Sequence, residues 1–294
     1  MDVIEKDSPC KVNLLLNVLG KRLDGFHEVE TLIHPINFCD QIRCERAAQG
    51  VQLSCSDPNL PTDAGNLVYR AAAVFLQAAG IREGVHIYLH KRIPQAAGLG
   101  GGSGNGATTL LALNELFGHP LGADRLYQLA AALGADVPFF LQARPALATG
   151  RGERIEPLDF FPALREAVFL LVYPGFGIAT AWAYQQLARF PEALKGQPGR
   201  AAQLAALLRS GDLRQAAAAF YNALEAPAFA KYPILALYQD FLRANGAVAT
   251  LMSGSGSTTF AILEDHAAAR QLEQKLRAKF GACWTAVVPA WPSP

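Results

Sequence analysis

The chain has no run of like charge. Its 26 lysines and arginines stand against 25 aspartates and glutamates, a formal net charge of +1 over 294 residues, so the footprint of a protein that wraps nucleic acid is missing. Any anionic ligand must be met by local groups. Cysteine is equally thin: the five, at 10, 39, 44, 55 and 283, form neither Cys-x-x-Cys nor a Cys/His spacing suited to zinc. Reduced thiols in a cytoplasm fit this usage best. The opening Met1-Asp2-Val3-Ile4-Glu5-Lys6-Asp7 lacks the apolar core of a secretory leader. One charge-free stretch, 167–188, is long enough to cross a bilayer, but Pro174-Gly175 and Gly177 divide it. It reads as a buried strand, a turn and a helix start. No membrane, nucleic-acid or protein partner is expected, and no repeat or low-complexity tract is present.

What the chain does have is glycine, concentrated in one place. From Gly98 to Gly106 it reads Gly-Leu-Gly-Gly-Gly-Ser-Gly-Asn-Gly, six glycines in nine residues, and then runs into Ala107-Thr108-Thr109-Leu110-Leu111. Glycine lets successive amides turn inward with no Cβ in the way, and the free N–H groups at a helix start carry positive partial charge. A polyphosphate is the natural occupant. No lysine follows the glycines and no window gives Gly-x-Gly-x-x-Gly, so two common nucleotide fingerprints fail. The loop implies phosphate binding in some other fold.

Apolar patterning places this loop between a strand at 85–89 and a helix. Upstream, strands are expected at 12–19, 28–38, 41–44 and 51–55, with a helix at 66–79. Downstream, a helix at 123–133 stops at Gly134 as a C-terminal cap, and Pro138 blocks its resumption, holding Asp136 on a tight corner. A passage at 156–165 reads as a domain boundary. Beyond it, a strand is expected at 167–173, helices at 201–209, 213–224, 234–244 and 266–279, and strands at 247–252, 258–263 and 286–288. The interleaving implies an α+β protein of two domains, 1–160 and 161–294.

Four separated stretches carry a resemblance: Lys11-Val12-Asn13-Leu14 with Arg22-Leu23-Asp24-Gly25-Phe26-His27; Pro94 through Thr109; Gly134-Ala135-Asp136-Val137-Pro138; and Met252-Ser253-Gly254-Ser255-Gly256. Together they are similar to the GHMP kinases, and the similarity spans nearly the whole chain. The resemblance implies a ribosomal-protein-S5-like N-terminal domain and a ferredoxin-like C-terminal domain. It also implies an ATP-dependent kinase that uses Mg2+. The expected acceptor is the small molecule cytidine diphosphate methylerythritol, phosphorylated on its 2-hydroxyl in non-mevalonate isoprenoid synthesis. The alternative is another GHMP small-molecule kinase, for homoserine, mevalonate or a sugar.

Residue by residue, the resemblance assigns Asp136 to the acceptor hydroxyl with Lys11 beside it as the catalytic pair. On position alone, Asp136 is equally a helix-end cap. A lysine inside an apolar strand needs a reason, and a buried ion pair with Asp136 is preferred to snorkelling. Pro94, Gly98, Leu99, Gly100, Gly101, Gly102, Ser103 and Gly104 are assigned to the ATP phosphates, and Asn66 and Lys91 to the adenine and ribose region. Asn66 equally caps its helix, and Lys91 equally ends its strand. Asn13, Phe26, His27, Thr180, Tyr184, Gly254, Ser255 and Gly256 are assigned to the acceptor, with Phe26 and Tyr184 as the two faces of a cytosine sandwich. Three departures stand out: Phe26 replaces the family's usual tyrosine, Gly104 its second loop serine and Gly106 its alanine. No two-carboxylate magnesium clamp can be read from the chain, so the metal ligands stay unassigned.

Overall fold

Two long strands begin the chain: β1 (Val3–Lys21) and β2 (His27–Ala47). They belong to a computed structural model that describes residues 2–290; Met1 and 291–294 lie outside the described residues. There follow β3 (Val51–Cys55), α1 (Leu67–Ala79), β4 (Gly84–His90), α2 (Gly101–Leu116), α3 (Ala123–Leu133), a 3-10 turn (Pro138–Leu141), β5 (Ala146–Gly150) and β6 (Arg154–Pro157). The remainder holds β7 (Val168–Tyr173), α4 (Thr180–Gln186), α5 (Pro191–Leu194), α6 (Arg200–Arg209), α7 (Leu213–Ala217), β8 (Tyr221–Asn222), α8 (Glu225–Lys231), α9 (Ile234–Ala244), β9 (Ala249–Met252), β10 (Thr259–Leu263), α10 (His266–Phe280) and β11 (Trp284–Pro289).

These elements form two units. One takes the chain up to Cys10, then Cys39–Pro94 and Gly100–Ala143; the other takes Lys11–Phe38, Gln95–Leu99 and the chain from Arg144. Both long strands pass from one unit into the other, so this division by contact differs from a cut at residue 160.

In the first unit, β4 pairs antiparallel with the end of β2, from Gln41↔His90 to Ala47↔Gly84, and parallel with β3, from Val51↔Val85 to Cys55↔Leu89. Val85, Ile87 and Leu89 are buried while Tyr88 between them is exposed, the alternation of a strand with one covered face. Helices α1, α2 and α3 pack on one another. Asn66 starts α1 by accepting the Val68 N–H (2.9 Å), and Gly80, at φ 65°, ends it. Helix α2 is buried nearly all round, which is why its sequence shows no polar stripe.

In the second unit, β7, β9, β10 and β11 form an antiparallel sheet in the order β11-β7-β10-β9. Numbered within this block, the order is fourth, first, third, second, with α9 and α10 as the intervening helices, the ferredoxin-like arrangement. The face of this sheet turned to the helices is aliphatic: Leu170, Val172, Ala261 and Leu263 meet Tyr238, Leu242, Leu272 and Leu276. Elsewhere in the unit, β5 pairs with β2 from Val29↔Gly150 to Ile33↔Ala146, β6 pairs with β5, and β8 lies parallel to β1 at Leu15↔Tyr221 and Leu16↔Asn222.

Several expectations are corrected. Residues 41–44 are not a separate strand but the continuation of β2. The 213–224 helix ends at Ala217, and Tyr221–Asn222 is extended, because pairing with β1 outweighs local propensity. Passage 156–165 holds the end of β6, and Phe161 and Leu164 within it are fully buried. Gly134 does cap α3, its N–H reaching the Ala130 carbonyl (3.2 Å), but at φ 171° it is extended rather than left-handed. The charge-free stretch 167–188 is strand, turn and helix, and no described helix is long and apolar enough to cross a membrane.

The two unusual glycines of α2 have different causes. A Cβ on Gly104 would come 2.6 Å from the Pro9 carbonyl oxygen and 3.3 Å from Ser8 Oγ, whereas one on Gly106 would meet nothing nearer than Leu67 Cβ at 3.6 Å. Gly106→Ala should therefore stabilise the protein by about 0.5–1 kcal/mol by removing a helical glycine. Gly104→Ser should lower the melting temperature although it restores the usual residue. Thermal melts followed by circular dichroism check the pair; equal responses would show that the Pro9 oxygen is not the constraint.

Candidate active site

The segment entering the glycine loop is tied down by a buried carboxylate. Asp40, fully buried, accepts the backbone N–H groups of Arg92 (2.7 Å) and Ile93 (2.9 Å) on one oxygen, and the Lys91 ammonium and Asn105 Nδ2 (2.9 Å) on the other. Lys91 also donates to Asn105 Oδ1 (3.1 Å), and Asn105 Nδ2 to Ser8 Oγ (2.9 Å). The strand end and the first turns of α2 are thus held by one charge pair whose side chains are 8% and 0% exposed. Sequence reading missed Asp40, whose partners lie 51 to 65 positions away.

Past Ile93 the loop adopts backbone that side chains avoid. Ala96 (φ 51°), Gly98 (φ 79°) and Gly100 (φ 68°) are left-handed. Successive carbonyls then fasten it: Ala97 O accepts the Thr258 N–H (3.0 Å), Gly98 O the Ser253 hydroxyl (2.9 Å) and Leu99 O the Lys11 N–H (2.9 Å). Two distant stretches of the sequence meet on three consecutive residues. A Cβ on Gly98 would collide with the Ser253 carbonyl oxygen, so only glycine fits. Helix α2 then starts from Gly100 without a side-chain cap, its first i→i−4 bond being Gly104 N–H to Gly100 O (2.9 Å). The N–H groups of Gly101, Gly102 and Ser103 precede that bond and present the positive end of the helix. Gly102 is exposed, and a Cβ there would find nothing nearer than 3.9 Å, room that suits a bulky anion. Pro94 is half-buried at the start of this passage.

Within the first unit, Asp136 is half-buried on the turn between α3 and the 3-10 turn, where the Val137 N–H bonds the Gly134 carbonyl (3.2 Å). Val137 lies 4.0 Å from the Cβ position of Gly106 and Phe140 lies 3.4 Å from that of Gly104, so this corner packs on the opening turns of α2.

Within the second unit, Lys11 is 4% exposed and its ammonium donates to Asn13 Oδ1 (2.5 Å). Asn13 Nδ2 donates to Thr31 Oγ1 (2.8 Å), which donates to Leu15 O (2.6 Å). This chain fixes the lysine head rather than letting it snorkel. Gly254, left-handed at φ 55°, approaches it closely: a Cβ there would sit 3.2 Å from Lys11 Nζ and 3.3 Å from Asn13 Oδ1. The Ser253 hydroxyl accepts the Asn13 N–H (3.3 Å), and Ser255 Oγ and Thr180 Oγ1 are 2.9 Å apart. Gly256 is left-handed at φ 86° in the same turn.

The aromatic residues assigned to the acceptor lie in two ring contacts. Tyr184 stacks on His27, ring centroids 5.1 Å apart and 29° between planes. Burial, with the nearby Lys21 charge, pulls the His27 pKa below its usual 6.5 and favours the neutral ring. Phe26 is 54% exposed on the hairpin tip, with the Arg151 guanidinium 4.9 Å over its ring. Sequence reading missed Arg151, since the hairpin of β5 and β6 that carries it was itself unrecognised. Asn66 has both ends of its amide engaged, the oxygen capping α1 and Nδ2 on the Pro61 carbonyl (2.8 Å).

The buried Asp40–Lys91 pair makes a stability prediction. Asp40→Ala leaves the ammonium uncompensated and should cost about 3–5 kcal/mol in urea unfolding, much of it recovered by adding Lys91→Met. No recovery in the double variant would place the cost elsewhere than in the unpaired charge.

Comparison with known proteins bears on this geometry. A family model described as the GHMP kinases N terminal domain matches residues 66–144, and one described as GHMP kinases C terminal matches 204–282. A 4-diphosphocytidyl-2-C-methyl-D-erythritol kinase of Geobacter sp. (strain M21) is 39% identical over 265 residues, 90% of either chain. The crystal structure of a 4-(cytidine 5'-diphospho)-2C-methyl-D-erythritol kinase aligns with a TM-score of 0.81 at 38% identity, covering 97% of this chain and 99% of that one. A homoserine kinase from Cytophaga hutchinsonii shares the fold, TM-score 0.77, at 21% identity over 98% of this chain and 95% of that one. Glycine loop, second glycine turn and overall similarity agree, and the chain belongs to the 4-diphosphocytidyl-2-C-methyl-D-erythritol kinases of the GHMP kinase superfamily.

Proposed function

We propose that this chain, as an ATP-dependent small-molecule kinase, moves the γ-phosphoryl group of ATP to the 2-hydroxyl of 4-diphosphocytidyl-2-C-methyl-D-erythritol, the compound its relatives are named for. The observation that carries the proposal is the fastening of Ala97, Gly98 and Leu99 to Thr258, Ser253 and Lys11, which joins a phosphate loop to a buried cation and a second glycine turn. The half of the chain at 1–160 supplies the ATP loop in this reading, and 161–294 contributes to the acceptor pocket. Pro94 to Gly104 meet the phosphates, chiefly through the first amides of α2. Asn66 and Lys91 border the adenine and ribose, shaping that side through the helix cap and the ion pair they make.

Asp136 accepts the proton of the acceptor hydroxyl as that oxygen attacks the γ-phosphorus in line. The bond from phosphorus to the bridging oxygen breaks, ADP leaves, and the proton passes from the carboxyl to solvent. Lys11, held by Asn13, offsets charge on the transferring group. His27 and Tyr184, with Phe26, receive the cytosine, where stacking tolerates the missing phenol and hydrogen bonds on the base edge give selection. Thr180, Gly254, Ser255 and Gly256 meet the rest of the acceptor. Magnesium is proposed as the ion ATP brings. Bound with ATP, it would be held largely by the phosphates and would neutralise charge on the transferring group. Among the described residues the five cysteines form no disulfide, which supports a reducing compartment, the cytoplasm.

ADP release coupled to a panel of alcohols tests the assignment: turnover should require the cytidyl acceptor, and comparable efficiency with homoserine or mevalonate would refute it. Asp136→Asn should cut kcat by about 10²–10⁴ with ATP affinity within about threefold. Phe26→Ala and Tyr184→Ala should each raise the acceptor KM about tenfold or more.

A further inference from the structure

Met252, at the end of the edge strand β9, leads into the second glycine turn. Its N–H and C=O both go to side chains: Glu225 Oε1 accepts the N–H (2.8 Å) and Asn222 Nδ2 donates to the C=O (2.7 Å). The same Asn222 amide donates to the Gly254 carbonyl (2.8 Å), while its oxygen accepts the Leu224 N–H (2.9 Å). Every polar group of this 2%-exposed side chain is used. An aspartate lacks the two donors. Glu225 Oε1 also accepts Gln239 Nε2 (2.6 Å), which fixes the carboxyl from α9.

We propose that Asn222 and Glu225 are positioning residues for the acceptor: from the end of β8 and the start of α8 they grip the backbone of Met252 and Gly254 and set the height of the 253–255 turn beside Lys11 and Asn13. The inference rests on the function proposed above, in which that turn meets the acceptor. Its force comes from the tight approach at Gly254, where 3.2 Å separates the Cβ position from Lys11 Nζ. A turn released by a few tenths of an ångström crowds the lysine or uncovers it.

Titration gives the grip a signature. Burial pushes the Glu225 carboxyl up to about 7, against the opposing pull of the Met252 N–H, Gln239 and the Arg243 charge. The charge that acts on it is Arg243 of α9, itself paired with Asp240; of the neighbouring elements, α9 also carries the Tyr238 phenol, α8 carries Lys231, which lies over Trp182 and Tyr232, and the turn after α4 carries Arg189. Strands β8 and β9 and helix α4 bring no acid or base beyond the phenols of Tyr221 and Tyr184. Because the folded pKa lies above the ordinary 4.5, stability present at low pH is lost as pH rises through about 7. The ionised carboxylate is nevertheless the stronger acceptor, so the grip tightens over the range in which the fold weakens.

The full chain is assayed as wild type, Asn222→Ala and Glu225→Gln. Asn222→Ala should raise the acceptor KM about tenfold with the ATP KM within about threefold. Wild-type acceptor KM should fall severalfold from pH 6 to 8. Glu225→Gln, which keeps the accepting oxygen, should show a flat profile and a melting temperature that exceeds wild type increasingly from pH 5 to 8. A merely structural carboxyl would move the melting temperatures and leave the KM profiles superimposed, and that result overturns the proposal. If Asn222→Ala fails to fold, the Glu225→Gln profiles decide alone. A wild type without turnover on the cytidyl acceptor refutes the function instead. The grip is then read by amide exchange over 251–256, where faster exchange in Asn222→Ala supports it and unchanged exchange overturns it.

Discussion

A side chain at residue 98 has nowhere to go. The backbone there runs so close to the Ser253 carbonyl that any Cβ would overlap it, and its left-handed φ of 79° is one that glycine takes freely. From that approach follows the fastening of the next and previous carbonyls, and with it the delivery of Lys11 and Asn13 to the second glycine turn. The lysine is buried because the strand bearing it is stitched to Leu99, and it stays ordered because Asn13 and Thr31 extend the hydrogen bonding inward.

Glycine-rich backbone cannot hold itself, since it loses the most freedom on ordering and offers no side chain to pack. Each unit solves this with an acid on a neighbouring element, fully buried in the first and half-buried in the second. In the first, Asp40 gathers two backbone amides, Lys91 and Asn105. In the second, Glu225 with Asn222 holds Met252 and Gly254. The two acids differ in how their burial is offset: Asp40 faces an ammonium directly, whereas Glu225 has only amide donors and a more distant Arg243, and its carboxyl rises to about 7.

What could be read from the sequence was local. The glycine run, the helices 67–79 and 123–133, and the alternation in β4 rest on spacing within a few turns, and the structure returns them nearly residue for residue. The GHMP kinase fold came from the motifs taken together. What could not be read depends on partners far along the chain. Asp40 is an acid in a strand until residues 91–93 and 105 arrive, and Asn222 sits in a stretch whose composition favours helix until Met252 and Gly254 recruit it. Thr180 and Ser255, assigned to one pocket on resemblance, do meet, 2.9 Å apart. Phe26 lies under Arg151 and Tyr184 stacks on His27.

The crowding at Gly104 reaches beyond the loop itself. With the Pro9 oxygen 2.6 Å from where a Cβ would stand, the present course of residues 8–9 and the serine usual at this loop position exclude one another. A lineage moving between the two loop sequences must shift the first strand before it changes the loop, or else cross a poorly folded intermediate. The residue that position 104 can carry is therefore tied to one peptide oxygen nearly a hundred positions earlier in the chain.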